Sequence, residues 1–277
     1  MSYRSLLVHV DNDESSARRL DYAVRLARAF AAELVGIYLV PGTDMTPSAA
    51  AMLRTDVVER RLGKYGEAQH AAEKAFHEAT ASCGLEAVDW RAPAGPAIDA
   101  AIAHARCCDL FVLGQHNASG AGFGAALVTN VLLSSGRPTL VVPRIGAPAT
   151  LGENVLVAWD GGREAARAIG DAIPLLARAT RVDVVSVDDD AERDVDDRLA
   201  DARLRGWLGR HGVAVDIARQ EAQDVGIGDW LLSRAADFGS DLIVMGGYGH
   251  ARMRELVLGG ATRSMLRSLT VPVFMAH

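Results

Sequence analysis

The chain has 277 residues, 49% of them hydrophobic and 23% charged, with a formal net charge of -6. This is a globular composition long enough for two ordinary domains, each with its own core. The negative balance argues against a protein that wraps DNA or RNA, because affinity for phosphate backbones comes from clustered Lys and Arg.

No apolar run approaches the roughly 20 residues of a spanning helix, and the start runs into a strand pattern without a signal-peptide layout. Three cysteines (Cys83, Cys107, Cys108) without a CxxC pair point to reduced thiols. The expectation is a cytoplasmic protein that engages neither membrane nor nucleic acid.

The first predicted strand is Ser5-Leu-Leu-Val-His-Val-Asp11, followed by a helix whose apolar face repeats at Leu20, Val24, Ala27 and Ala31. Glu33-Leu-Val-Gly-Ile-Tyr-Leu-Val40 is the second strand. A loop with Pro41, Gly42 and Pro47 leads into a long helix whose later core face is Tyr65, Ala68, Ala72 and Phe76, ended by Gly84. Cys108-Asp-Leu-Phe-Val-Leu-Gly114 is a buried strand run ending in glycine, and Arg137-Pro-Thr-Leu-Val-Val-Pro143 closes this half. Pro143, Gly146, Pro148 and Gly152 mark a linker, so the expected domains are 1–145 and 153–277.

The second half repeats this order. Asn154-Val-Leu-Val-Ala-Trp-Asp160 matches the first strand and also ends in Asp, and the helix after it shows its apolar face at Ala165, Ile169, Ile173 and Leu176. Arg181-Val-Asp-Val-Val-Ser-Val187 matches the second strand, Ser240-Asp-Leu-Ile-Val-Met-Gly246 the run ending in Gly114, and Val271-Pro-Val-Phe-Met275 the last strand. The first half is longer, mainly through Pro41 to Cys83. Strands rich in Val, Ile and Leu on both faces, alternating with helices, mean a parallel sheet covered on each side. Five strands are expected per half.

In an open parallel sheet, ligands bind beyond the carboxyl ends of the strands where strand order reverses, which brings the loops after Asp160 and Gly246 into one crevice. The second loop reads Gly246-Gly-Tyr-Gly249, then His250 to Leu258, then Gly259-Gly-Ala-Thr262. Glycines let a backbone approach an anion, and a helix starting near Gly259 aims unpaired N–H groups at it. His250, Arg252 and Arg254 offer charge to phosphate oxygens, and Thr262 a hydroxyl. A glycine-rich turn carrying solvated arginines has the same composition, so the glycines alone leave both readings open.

The pattern Gly-x-x-Gly, nine residues, Gly-small resembles the nucleotide-loop signature of the universal stress protein family. The resemblance extends over both halves, through Ala158-Trp-Asp-Gly-Gly-Arg-Glu-Ala-Ala-Arg167 after the first strand and Val271-Pro-Val in the last. It implies an α/β fold of two repeated open five-stranded parallel sheets, order 3-2-1-4-5, with helices on both faces, similar to the adenine nucleotide alpha hydrolases. The repeats are expected to pack as an internal pseudo-dimer through their last strands.

Carried over residue by residue, the resemblance puts Ala158 and Asp160 near adenine or ribose, Val187 beside the base and Met245 as a wall of its pocket. Gly246, Gly249, Gly259, Gly260 and Thr262 would surround ribose and phosphates, with His250 and Arg252 beside them. The implied ligand is ATP or a related adenine nucleotide, with Mg2+ where a triphosphate binds. The implied role is a stress-response sensor or regulator with a protein partner of unknown identity, in a homodimer, and with hydrolysis at most slow. The alternative is a nucleotide-free member working through protein contacts.

Two departures bear on this. Gly260 stands where nucleotide-binding members usually carry Ser, and Trp159 at the crevice mouth either stacks on a base or fills its place. The first half departs further: its loop, Gly114 to Gly124, is shorter, has Asn117 in place of Gly249 and lacks Lys and Arg, with Ala125 and Ala126 nearest to Gly259 and Gly260. One candidate site per chain is expected, in the second half.

No GxxxxGK[ST] exists, which excludes a Walker-type site. Asp160-Gly-Gly resembles the turn of ATP pyrophosphatases without their Ser-Gly-Gly-x-Asp-Ser, and no His-x-Gly-His is present. His104, Cys107 and Cys108 have a spacing that reads better as packing than as metal ligation. The acids of 188–190 and 194–197 read as a solvated loop and helix start.

Overall fold

The computed structural model describes residues 2–41, 55–115, 123–188, 195–221, 226–248 and 260–277, with backbone alone at 55–64, 187–188, 195–198, 220–221 and 260–261. Two compact units result, Ser2–Arg137 and Pro138–His277.

The first unit runs β1 (Ser5–His9), α1 (Ser16–Phe30), β2 (Glu33–Ile37), α2 (Thr55–Ser82), β3 (Val88–Arg91), α3 (Ala97–Ala105), β4 (Leu110–Gly114) and α4 (Ala126–Ser134). Its strands are ordered β3-β2-β1-β4 and all pair in parallel. Strand order reverses beside β1, because the chain steps outward to β2 and β3 before crossing back to β4. Leu6, Leu7, Val8 and Leu110 to Leu113 are buried, as a sheet covered on both faces requires.

The second unit contains β5 (Thr139–Val142), β6 (Asn154–Ala158), α5 (Arg163–Leu176), β7 (Arg181–Asp188), α6 (Val195–Arg210), β8 (Asp216–Glu221), α7 (Ile227–Asp237), β9 (Leu242–Gly246), α8 (Gly260–Arg267) and β10 (Val273–Ala276). Strands β8-β7-β6-β9-β10 follow the 3-2-1-4-5 order and pair in parallel. Beyond them β5 pairs antiparallel with β10, Val273 opposite Val141 and Met275 opposite Thr139.

The apolar faces read from periodicity are largely those that are buried: Leu20, Val24 and Ala27 on α1, Ala72 and Phe76 on α2, and Ala165, Ile169, Ile173 and Leu176 on α5. Tyr65 and Ala68 of the α2 face are only half-buried, and Ala31 departs furthest. It is exposed and left-handed (φ 49), because the helix ends at Phe30 and the Ala31 and Ala32 amides turn back onto the Arg28 and Ala27 carbonyls. The third strands, Val-Asp-Trp-Arg and Asp-Ile-Ala-Arg-Gln-Glu, lack the apolar runs of the inner ones. Arg219 of β8 is instead tied to Asp201 of α6 by two bonds of 2.7 Å.

The repeated Asp-Leu pair before β4 and β9 has a backbone purpose. The buried Asp241 carboxylate accepts the N–H groups of Gly152, Glu153 and Asn154 at 2.9, 3.1 and 3.1 Å. Asp109 does the same for Arg4 and Ser5. Each Asp thereby ties the entry of the central strand to that of its neighbour, satisfying donors that would be desolvated without partners.

Candidate functional site

In the second unit the carboxyl ends of β6 and β9 lie side by side, since Val157 is opposite Val244. Beyond β6 the chain turns through half-buried Trp159, exposed Asp160 and Gly161 (φ +71) to Gly162, the N-cap of α5. Asp160 Oδ1 accepts the Gly162 N–H at 2.8 Å, an Asx turn that sets the start of the helix.

Gly246 ends β9 against that helix start. A Cβ there would lie 2.7 Å from Ala165 N and 2.8 Å from the Glu164 carbonyl carbon, so only glycine lets strand and helix meet. Glu164 is buried in this junction with Arg163 Nε at 2.5 Å from Oε1. Burial works to raise its carboxyl. The hydrogen bond from Arg163, its own backbone N–H and the charges of Arg163 and His277 outweigh burial and hold it below the ordinary value.

The chain then leaves β9 through Gly247 and Tyr248. The Gly247 N–H donates to Ala276 O at 2.9 Å, and its carbonyl accepts from His277 Nδ1 at 3.0 Å. Tyr248 takes the left-handed conformation (φ 56), and its N–H donates to Thr262 Oγ1 at 3.3 Å. Thr262 is buried in the first turn of α8. Its oxygen therefore braces the loop, and its O–H proton is what remains to offer a ligand.

The other expected site residues are distributed as follows. Ala158 is half-buried at the end of β6 opposite Val185, and Met245 is buried opposite Met275. Val187 is in the β7–β8 ladder opposite Gln220, one strand away on the far side of β6 from β9. Gly260 opens α8. Gly249, His250, Arg252 and Gly259 lie outside the described residues. The sequence reading did not single out Glu164, although it lies within the Ala158–Arg167 turn, nor His277, nor the positive φ at Tyr248, which glycine neighbours conceal.

The matching crevice of the first unit is built differently. Asp11 corresponds to Asp160, but Arg19 of α1, itself buried, holds Asp11 Oδ1 with Nη2 at 2.9 Å. Arg19 also donates to the His9 carbonyl through Nε and to Ser16 Oγ, and its Nη1 crowds the Cα of Gly114. His9 is buried beside it with the Phe123 ring edge-on at 6.0 Å. Burial, helped by the Arg19 charge and opposed by Asp11, pushes the His9 imidazole down to about 4. Burial would raise Asp11, but Arg19, His9 and the Asp13 N–H prevail and lower it.

His104, Cys107 and Cys108 do not converge. His104 Nδ1 is 3.1 Å from Arg91 Nη1, Cys107 is exposed, and buried Cys108 bonds the Ala105 carbonyl with its thiol pushed up to about 12, chiefly by burial. Among the described residues no cluster of metal-ligating side chains exists, and no helix is long and apolar enough to cross a membrane.

A parallel α/β chain of two repeats, with the ends of β6 and β9 side by side at the switch point of the second, defines the class. The universal stress protein family matches residues 2–143 and again 152–277, and the chain belongs to that family. A universal stress protein from Archaeoglobus fulgidus DSM 4304 is similar over 98% of this chain and 97% of its own, at TM-score 0.72 and 18% identity. A functionally unknown protein from Pseudomonas aeruginosa PAO1 is similar over 99% of this chain and 92% of its own, at TM-score 0.58 and 17% identity. At these identities the likeness is one of fold. No curated protein matches the chain.

Proposed function

We propose that the second repeat binds ATP or a related adenine nucleotide, and that the protein serves as a cytoplasmic stress-response sensor or regulator. The carrying observation is the contrast between the two Asp turns. Asp160 is exposed in the turn beyond β6, where among the described residues its carboxylate accepts only the Gly162 N–H, close to the point at which Gly246 lets β9 meet the start of α5. Asp11 is consumed by a buried arginine that crowds Gly114. A carboxylate at a switch point can accept hydroxyl or amine protons of a nucleoside, and the adjoining start of α8 favours phosphate. Ala158, Met245 and Val187 supply the apolar side of this reading; Gly249, His250, Arg252, Gly259, Gly260 and Thr262 supply the phosphate side. Mg2+ would accompany a triphosphate, and a homodimer and a regulatory protein partner complete the reading.

The engagement of Thr262 with Tyr248, together with the missing hydroxyl at Gly260, favours a second reading, a nucleotide-free protein acting through protein contacts. Small molecules released on denaturing the purified protein decide between the two, with thermal shift as the second measurement. One adenine nucleotide per chain, or an ATP-induced rise in melting temperature lost in Asp160→Ala and retained in Asp11→Ala, supports the first. Absence of both supports the second, and a released flavin contradicts each.

A further inference from the structure

The peptide plane between Gly247 and Tyr248 is held at both poles. Its carbonyl accepts from His277 Nδ1 at 3.0 Å, and its N–H donates to Thr262 Oγ1 at 3.3 Å. The plane preceding it is fixed as well, by the Gly247 N–H on Ala276 O. A carbonyl only accepts, so His277 carries its proton on Nδ1 here. The plane leads into a tyrosine at φ 56, a conformation a bulky residue keeps only when its surroundings over-determine it. Rotation of this one plane would change the direction in which the chain leaves Tyr248.

We propose that His277 is a positioning residue for the second-repeat crevice: its Nδ1–H holds the Gly247 carbonyl and so fixes the direction in which the chain leaves β9 toward a bound nucleotide. The proposal rests on the adenine nucleotide reading for its consequence, and on the two hydrogen bonds for its geometry. His277 touches no proposed ligand atom. It acts through Gly247, and its ring also stands close enough to Glu164 for its charge to be felt at the buried start of α5. Thr262 restrains the same rigid plane from its N–H pole at 3.3 Å, and His277 adds the shorter bond, 3.0 Å, at the carbonyl pole.

The test uses the full chain, MgATP as probe, and two variants. His277→Ala removes the donor, whereas His277→Asn places an amide N–H where Nδ1 stands, two bonds from Cβ. Expected for His277→Ala is an ATP dissociation constant raised about fivefold, faster hydrogen exchange of the Tyr248 amide in the nucleotide-free protein, and a melting temperature within about 2 °C of the parent. His277→Asn restores both affinity and protection, which general destabilisation would not produce. Unchanged Tyr248 exchange in His277→Ala overturns the brace whatever ATP does. Faster exchange with unchanged ATP affinity overturns the positioning role. If the parent binds no ATP while exchange still responds and Asn rescues it, the nucleotide reading fails and the brace alone survives.

Discussion

His9 makes the first unit sensitive to mild acid. Its imidazole is buried, edge-on to Phe123, and pushed from 6.5 to about 4 by burial and the Arg19 charge, against the pull of Asp11. In the unfolded chain the same side chain takes up a proton near pH 6.5. Between pH 6.5 and 4 the unfolded state therefore binds one more proton than the folded state, and stability falls as pH falls. A gap of that size corresponds to about 3 kcal/mol lost across the window. For a unit of this length that is roughly 10 °C of melting temperature.

The assay is calorimetry of the full chain and of His9→Gln, which cannot titrate, at steps from pH 7 to pH 4. Carboxylates titrate in both proteins, so the difference between them isolates His9. The parent transition assigned to the first unit should drop more steeply with acid than that of His9→Gln, the two curves converging in slope above pH 7. Parallel curves over the whole range would refute the claim that a neutral, buried imidazole is built into the end of β1. Asp11, lowered chiefly by Arg19 against the effect of burial, adds its own loss only as pH falls below its unfolded value of 3.8.

Gly246→Ala forces a Cβ into the Glu164–Ala165 backbone and should cost about 2–3 kcal/mol, read as a lower urea midpoint for the second unit. Asp241→Ala strands three backbone N–H groups and should cost about 3–5 kcal/mol, whereas Asp109→Ala strands two in a more exposed setting and should cost about 1–2 kcal/mol; equal losses in chemical denaturation would contradict this ordering. A maleimide should label exposed Cys107 readily in the native protein at neutral pH and leave buried Cys108, whose thiol is pushed up to about 12, unmodified until the chain is denatured, as peptide mapping would show.

The repeat, the parallel sheet and most of its core were legible because inner strands covered on both faces must be continuously apolar, and Leu6 to Val8, Val155 to Val157 and their partners are. The third strands, β3 and β8, are the outermost of their sheets, carry Asp and Arg among their apolar residues and escape that signal. The turn that holds Asp160 was legible, and the structure leaves its side chain exposed beyond β6. That Asp11, in the same place, is spent on Arg19 was not, because the arginine reads as an ordinary charged helix position until its guanidinium is seen beneath the strand ends. His277 acts through one contact with the Gly247 carbonyl and Glu164 through its pairing with Arg163, and such contacts leave no periodicity. The glycines mislead in one respect. Gly246 is needed for helix-to-strand contact whatever binds, so its presence speaks for the fold before it speaks for phosphate.

The antiparallel seat of β5 against β10 changes where the chain can be divided. The second family match begins at residue 152, but the strand that completes the outer edge of β10 is Thr139–Val142. A fragment begun at the family boundary would leave Val273–Ala276, wholly buried in the intact protein, with a bare row of N–H and C=O groups, a template for adhesion to its own kind. One begun at Pro138 keeps β5 paired on that edge, so the structural division of the chain and the boundary of the second family match differ by one strand.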